Sequence, residues 1–378
     1  MWVDAFGPGF KTPEQVSRLV ADARKLGVNA LFVQAGKRGD CYCDRASMPR
    51  TDDPEVSAGF DPLQDVIDKA HAVGIQVHAW ITTTSVVNVP ENPEPSQPDH
   101  VFNTHGLTAS GDENWLMTRV DGEARAGNDY FLDPGHPDAA QYIREMYVSV
   151  AREYDVDGVQ LDRVRYPDPA AGLQDWGYNP VSVARYQQET GATDVPAPAD
   201  PRWTAWRRAR VDDLVRAIHD GVKAVRPNAW VSAAVVTYGP GPRSVADFKA
   251  TRAYVEVLQD WPSWLASGSV DLIVTMNYKR DSGAQAGWFD GWNRFAASVK
   301  GSGKVAAGTA LYLNDERANV AQARRALSSN VDGWVGYSYR TPDAAVEAGR
   351  RSADSVWSSL GSKLTGGPLT GSPSWGTP

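Results

Sequence analysis

The sequence predicts an α/β protein built as a single (β/α)8 barrel of the TIM type, on three observations. Apolar, β-rich runs alternate with amphipathic helical patterns along nearly the whole chain, the signature of repeated β/α units. Several of those runs are continuously apolar, as parallel strands buried on both faces must be. No G-x-G-x-x-G follows the first run, which argues against a doubly wound nucleotide-binding sheet.

Eight strands are predicted: Met1–Phe6, Ala30–Ala35, Gln76–Ile81, Gly158–Val164, Trp230–Thr237, Leu272–Asn277, Val305–Leu311 and Gly333–Tyr339. The helices between them carry good start signals. Thr12-Pro13-Glu14-Gln15 supplies an N-cap, a proline at the first helical position and a capping-box partner. Val16, Leu19, Val20 and Ala23 follow at helical spacing, and Gly27 ends the run. Asp61-Pro62 opens a second helix. Asp133, in Asp133-Pro134-Gly135-His136-Pro137-Asp138, is expected to cap a third, and Thr341-Pro342-Asp343 to open the last. The barrel is expected to occupy residues 1–360, with a Gly/Ser/Pro-rich tail over 361–378. Two irregular stretches, 82–133 and 166–202, follow the third and fourth strands, where barrels carry their functional loops.

Composition narrows the function. The net charge of −8, with no Lys/Arg run longer than a pair, makes nucleic acid a poor partner. No apolar stretch approaches the ~20 residues of a spanning helix, so membrane insertion is not expected. The chain starts inside its first predicted strand, so a leader or linker is expected to have been removed. Cys41 and Cys43 match half a zinc site with no second half, and are expected to be unpaired thiols without a metal. Fourteen Trp and 14 Tyr suit either a large core or a surface that stacks on sugar rings.

Barrel active sites draw on the C-terminal ends of several strands. Here those ends supply Asp4, Arg38, Asp40, His78, Trp80, Asp162, Arg163, Arg165 and Tyr166. Tyr238, Asn277, Tyr278, Asp281, Tyr312, Tyr339 and Arg340 complete the set. Acids, arginines and aromatics converging on one mouth suit carbohydrate chemistry. Asp162 is the sharpest candidate: beside Arg163 and Arg165 it suits a nucleophile or base, and its rival role is a buried ion pair.

Eight motifs occur in order: W-V-D-A-F, G-D-C-Y, V-H-A-W, L-D-P-G-H-P-D, D-G-V-Q-L-D-R-V-R-Y-P, W-G-Y-N-P, Q-D-W-P-S-W-L and M-N-Y. From Met1 to Tyr339 this series resembles the bacterial glycosyl-hydrolase-like family 10, barrels related to extracytoplasmic polysaccharide hydrolases. The resemblance implies cleavage of amino-sugar glycans, including peptidoglycan strands stripped of their peptides. It places the family's strand-four acid on Asp162, its Q-D-W element on Gln259, Asp260 and Trp261, and its M-N-Y element on Met276, Asn277 and Tyr278. Cys43 and Arg163 depart from the pattern.

A glycosidase usually needs a second carboxylate, about 5–5.5 Å from the first for retention and about 6.5–9.5 Å for inversion. Asp260 is the first choice for general acid and Asp281 the second; either could instead cap a helix or sit on the surface. An acetamido substrate could also supply its own nucleophile, with Asp162 orienting it. Substrate contacts are expected from Asp4, Arg38, Arg165, Tyr166, Asn277, Tyr278 and Tyr339, with Trp80, Trp176 and Trp261 as stacking platforms. His78 competes between substrate contact and a satisfied core histidine. Trp2, Trp206, Trp230 and Trp357 read as core, and the pairs Trp203/Trp206 and Trp288/Trp292 as packing.

The function predicted is thus a secreted or envelope-facing glycoside hydrolase, monomeric or weakly dimeric, needing no cofactor or metal. The alternative from another class is a catalytically silent carbohydrate-binding barrel. A metal-dependent hydrolase is disfavoured because no His pair has ligand spacing.

Overall fold

The computed structural model describes residues 1–170 and 172–364. Eight strands form one sheet, every pairing parallel and each strand beside its neighbour in sequence. They are β1 (Trp2–Val3), β2 (Ala30–Gly36), β3 (Gln76–Thr82), β4 (Gly158–Asp162), β5 (Trp230–Val236), β6 (Leu272–Met276), β7 (Lys304–Ala310) and β8 (Gly333–Tyr337). The Tyr339 amide donates to the Trp2 carbonyl at 2.8 Å, which joins the β8 end to β1 and brings the sheet round into a barrel. The predicted (β/α)8 architecture is the one observed.

Strand ends differ from prediction for local reasons. β1 stops at Val3 because Asp4 turns the chain, its Oδ1 accepting from the Phe6 and Gly7 amides at 3.1 and 3.2 Å. β4 stops at Asp162 because Arg163 takes a left-handed backbone conformation, φ +50°.

The helices start as their caps dictate. In α1 (Pro13–Leu26) Thr12 accepts from the Gln15 amide, Pro13 fills the first position, and Gly27 closes the last turn at φ +69°. Its Val16, Leu19, Val20, Ala23 and Leu26 are buried. α2 (Pro62–His71) starts likewise from Asp61. α3 (Pro137–Glu153) is capped by His136, not Asp133; Asp133 instead accepts from the Gly135 amide and is fully buried. α4 (Pro201–Val225), α5 (Trp261–Ser267), α6 (Gly283–Val299) and α7 (Glu316–Ser328) follow their strands. Asp343 caps only a short turn of helix, Ala344–Glu347; the last helix, α8 (Ala353–Leu364), begins beyond it. α8 runs through Gly361, where the tail was expected to begin, and residues 365–378 lie outside the described residues.

Three carboxylates brace the N-terminal rim of the barrel. Asp157, Asp271 and Asp332 each precede a strand and accept from the neighbouring strand's first amides, on Val77, Val231 and Val305, at 2.7–3.0 Å. Strand-edge N–H groups that would otherwise be buried unpaired are satisfied there. Cys41 and Cys43 form a disulfide, with Cα atoms 5.0 Å apart, which corrects the expectation of free thiols. The loop after β2 folds back on itself, Cys41 pairing with Gly36 and Arg50, and brings the two side chains within bridging distance. The stretch after β3 carries a small antiparallel sheet of Ser85–Asn88, Asp129–Phe131 and Arg125–Ala126. It delivers Asp129 to the barrel mouth.

Candidate active site

The strand register sorts side chains into layers inside the barrel. Phe32, His78, Gly158 and Trp230 share one level; Gln34, Trp80, Gln160 and Ser232 the next; Thr82 and Asp162 lie above. Over the top of these layers opens a cleft of about 390 Å³. Its aromatic wall is Trp2, Trp80, Tyr278, Tyr312 and Tyr337, in edge and tilted contacts with centroids 5.2–6.4 Å apart. Apolar faces of this kind suit the flat faces of sugar rings.

Asp162 is the one carboxylate that lines the cleft among the described residues. It is 9% exposed. Its Oδ2 accepts from Trp80 Nε1 at 3.1 Å, and its Oδ1 from the Arg163 amide at 2.8 Å. Both donors fix the orientation of the carboxyl, and the second comes from a residue held at positive φ. Backbone strain of about 1 kcal/mol or more persists only where its surroundings enforce it, and this conformation goes with the Arg163 amide bonding to Asp162.

Two arginines flank this acid without taking it as an ion-pair partner. Arg163 binds Asp129 at 2.8 Å, and Arg38 approaches the other oxygen of Asp129 at 3.7 Å. Burial pushes the Asp129 carboxyl up, but Arg163, Asn88 and Arg38 together hold it below its usual value. Asp129 therefore stays charged and offsets part of the positive charge of the two arginines, and Asp162 forms no ion pair with them. Arg165 also lines the cleft and pairs with Asp168 at 3.2 Å.

The sequence matches glycosyl hydrolase-like 10 over residues 3–314, most of the chain. The chain belongs to that family. Curated relatives include the glycosyl hydrolase YngK of Bacillus subtilis, 26% identical over 79% of this chain and 54% of that protein. Another is the glycosyl hydrolase DigH of Escherichia coli, 26% identical over 68% and 55%. The chain thus spans about half the length of these relatives. Among solved structures, the glycoside hydrolase domain of PgaB (BpsB) from Bordetella bronchiseptica superposes with a TM-score of 0.63 at 19% identity, covering 94% of this chain and 97% of that one. An endo-1,4-beta-mannanase from Rhizomucor miehei gives 0.53 at 12% identity, over 96% and 94%. At such identities the fold is what is shared.

The family's strand-four acid, on Asp162, stands in the cleft with the predicted Arg38, Trp80, Arg165 and Tyr278. The Q-D-W element does not. Gln259 is a brace, accepting from the Val236 amide at 2.9 Å, and Trp261 is fully buried against Phe248, Trp292 and Phe295. Asp260 points among the helices, where its charge meets Arg208, Lys249 and Asp212; burial there raises its carboxyl. Asp281 is ion-paired with Arg325 on α7. Neither expected general acid lines the cleft. Asp281 lies shortly past β6 but turns to α7, and Asp260 lies well past β5, immediately before α5.

Other expected contacts are also structural. His78 sits below Trp80 inside the barrel; burial pushes its imidazole down to about 4, so it is neutral at physiological pH and packs on Phe32 at 4.7 Å. A Cβ at Gly158 would lie 2.6 Å from His78 Nδ1, so glycine there makes room for the ring. Tyr166 and Trp176 are buried beneath the loop after β4, with Arg207 over the Tyr166 ring. Asn277 of the M-N-Y element donates to the Phe289 carbonyl and Asn293 Oδ1, tying the β6 end to α6. Tyr339 donates to Asp22 at 2.7 Å on the outer face. Asp4 accepts from Ser338 and two amides and braces the β1–β8 junction, where its charge reaches Tyr337 and Tyr278.

Trp2, read from sequence as core, proves to line the cleft, with Gln34, Lys279 and Tyr337. Alternation from Asp162 would have found Trp2, Gln34 and Tyr337, because inward-facing residues recur every second position. Nothing in the sequence marks Lys279.

Proposed function

We propose that the protein is a glycoside hydrolase acting on a polysaccharide of N-acetylated amino sugars, such as peptide-free peptidoglycan or an exopolysaccharide. The observation that carries this reading is a single oriented carboxylate in an aromatic-walled cleft at the mouth of a barrel of this family. The relatives' printed names, glycosyl hydrolase, support it. With no second carboxylate on the cleft wall among the described residues, the acetamido group of the substrate is the best nucleophile. Its carbonyl oxygen attacks the anomeric carbon while Asp162 gives a proton to the departing glycosidic oxygen. Water then opens the resulting oxazolinium ion at the anomeric carbon, and Asp162 takes a proton from that water, which restores the acetamide and the acid with net retention. No metal or cofactor enters these steps.

The disulfide at Cys41–Cys43 supports work outside the reducing cytoplasm, at the cell envelope or beyond it. No helix among the described residues is long and apolar enough to cross a membrane.

The test is release of reducing ends from peptide-free peptidoglycan, chitin oligosaccharides, their deacetylated forms and a neutral glucan, with binding followed in parallel. Cleavage confined to N-acetylated polymers, abolished in Asp162→Asn and inhibited by a thiazoline analogue of the oxazoline, is expected. Binding without cleavage by the wild-type protein would instead make this a silent carbohydrate-binding barrel.

A further inference from the structure

The cations of the cleft are unevenly partnered. Arg38 and Arg163 share Asp129, and Arg165 has Asp168, all within 4 Å. Lys279 lines the same cavity with a side chain that is almost entirely buried, and forms no ion pair among the described residues. Its Nζ donates to the Thr237 carbonyl at 2.6 Å and to Thr237 Oγ1 at 3.5 Å. An ammonium has three N–H donors. The third is left for the cavity.

This placement is built from two sides. The Lys279 carbonyl accepts from Asn314 Nδ2 and from Gln322 Nε2, each at 3.0 Å, which anchors the residue's backbone against β7 and α7. Thr237, at the end of β5, is itself fixed by donating from Oγ1 to the Met276 carbonyl at 2.9 Å. A buried cation without a counter-charge is costly, and such a group commonly waits for one from a ligand. Consistent with that cost, burial alone lowers the Lys279 ammonium to about 8.

We propose that Lys279 is a specificity residue that takes the carboxylate of an acidic sugar, so that the cleft selects an amino-sugar glycan carrying one carboxylate per repeat over its neutral counterpart. The inference rests on the proposed hydrolysis of amino-sugar polymers and names the feature of the polymer that the cleft reads. A ligand carboxylate would give Lys279 the counter-charge that no protein carboxylate among the described residues supplies. The arginines differ from it in that each has a protein carboxylate within 4 Å, Arg38 and Arg163 sharing theirs. A cationic, deacetylated sugar at this position would meet like charge.

The experiment uses peptide-free peptidoglycan strands, whose lactyl ethers carry carboxylates, and the same strands with those carboxyls reduced to alcohols. KM and kcat are measured on both for the wild-type protein, Lys279→Met and Lys279→Arg. The wild-type KM is expected to be at least tenfold lower on the native strands, with kcat little different between the two. In Lys279→Met this ratio collapses towards one, and Lys279→Arg restores part of it. A wild-type protein indifferent to carboxyl reduction overturns the inference while leaving the hydrolase reading intact, and that comparison stands even if the Met variant does not fold. A folded Lys279→Met that keeps the preference overturns it too. If neither strand is cut, the hydrolase reading fails first. Calorimetric binding of the two strands then decides this inference separately: tighter binding of the native strands supports it, and equal or absent binding overturns it.

Discussion

Asp162 is the last residue of β4, whereas Asp260 lies far past the end of β5, immediately before α5, and the two acids meet different surroundings. Asp162 ends β4 and faces the cleft, held by an indole N–H and a backbone amide while Asp129 occupies its arginine neighbours. Asp260 precedes α5 and faces outward, among Arg208, Lys249 and Asp212, under Trp264, which donates to Asp212 at 2.6 Å. Both are partly shielded acids near cations. What separates them is position: Asp162 ends a strand and opens onto the barrel mouth, whereas Asp260 belongs to the connection before α5, in the packing layer of the helices.

The largest effect that tests this contrast is on turnover. Asp162→Asn is expected to lower kcat by about a thousandfold or more, with little change in thermal midpoint, because general acid–base groups contribute roughly 10²–10⁴. Asp260→Asn is expected to stay within about twofold of wild type. The reverse pattern in reducing-end assays would move the chemistry to the helical layer.

Next is the donor that aims the acid. Trp80→Phe keeps an aromatic face but removes the N–H to Asp162, and is expected to lower kcat by roughly ten- to a hundredfold, as for a hydrogen bond to a charged group. An unchanged rate would show that the Arg163 amide alone orients the carboxyl.

The outer acids should show in stability instead. Burial, reinforced by the charge of Asp260, raises Asp212 to about 6, above its unfolded value near 3.8. The sign follows from linkage: the folded state prefers the protonated acid, so this contribution is present at pH 4 and is lost as pH rises to about 6. Asp212→Asn, which keeps an acceptor for Trp264, should therefore gain more stability over wild type at pH 7.5 than at pH 4.5, by on the order of 2 kcal/mol. Denaturant titrations at the two pH values measure it. A constant difference would mean that Arg208 fully offsets the burial.

The smallest effect concerns the loop that brings Arg38 to the mouth. Reducing Cys41–Cys43 opens a very short ring and is expected to cost roughly 1 kcal/mol, lowering the midpoint by a few degrees. A larger drop would show that the disulfide supports the cleft wall itself.

Much of this was legible in advance. The eight strands, their order and the position of Asp162 follow from β/α alternation and from continuous apolar runs, which report burial on both faces. Arg38, Trp80, Arg165 and Tyr278 were found because strand ends in a barrel converge. Other residues misled. Asn277, Asp281 and Tyr339 lie just past strand ends, where the period-2 alternation that assigns a side chain to the inside or outside no longer holds, and Asp260 and Trp261 follow the long connection after β5, which no strand pattern reaches.

By itself, then, the sequence determined the barrel, the caps at Thr12 and Asp61 and the family, because these rest on local periodicity, turn chemistry and ordered motifs. Only the tertiary structure decided which acid lines the cleft, that Cys41 meets Cys43, that Trp2 is wall as well as core, and that Lys279 has no ion pair among the described residues. Those facts depend on distances between residues far apart in the chain, or on how one loop folds back. No pattern of neighbours in the sequence encodes such distances; they are set when the strands close and the helices pack.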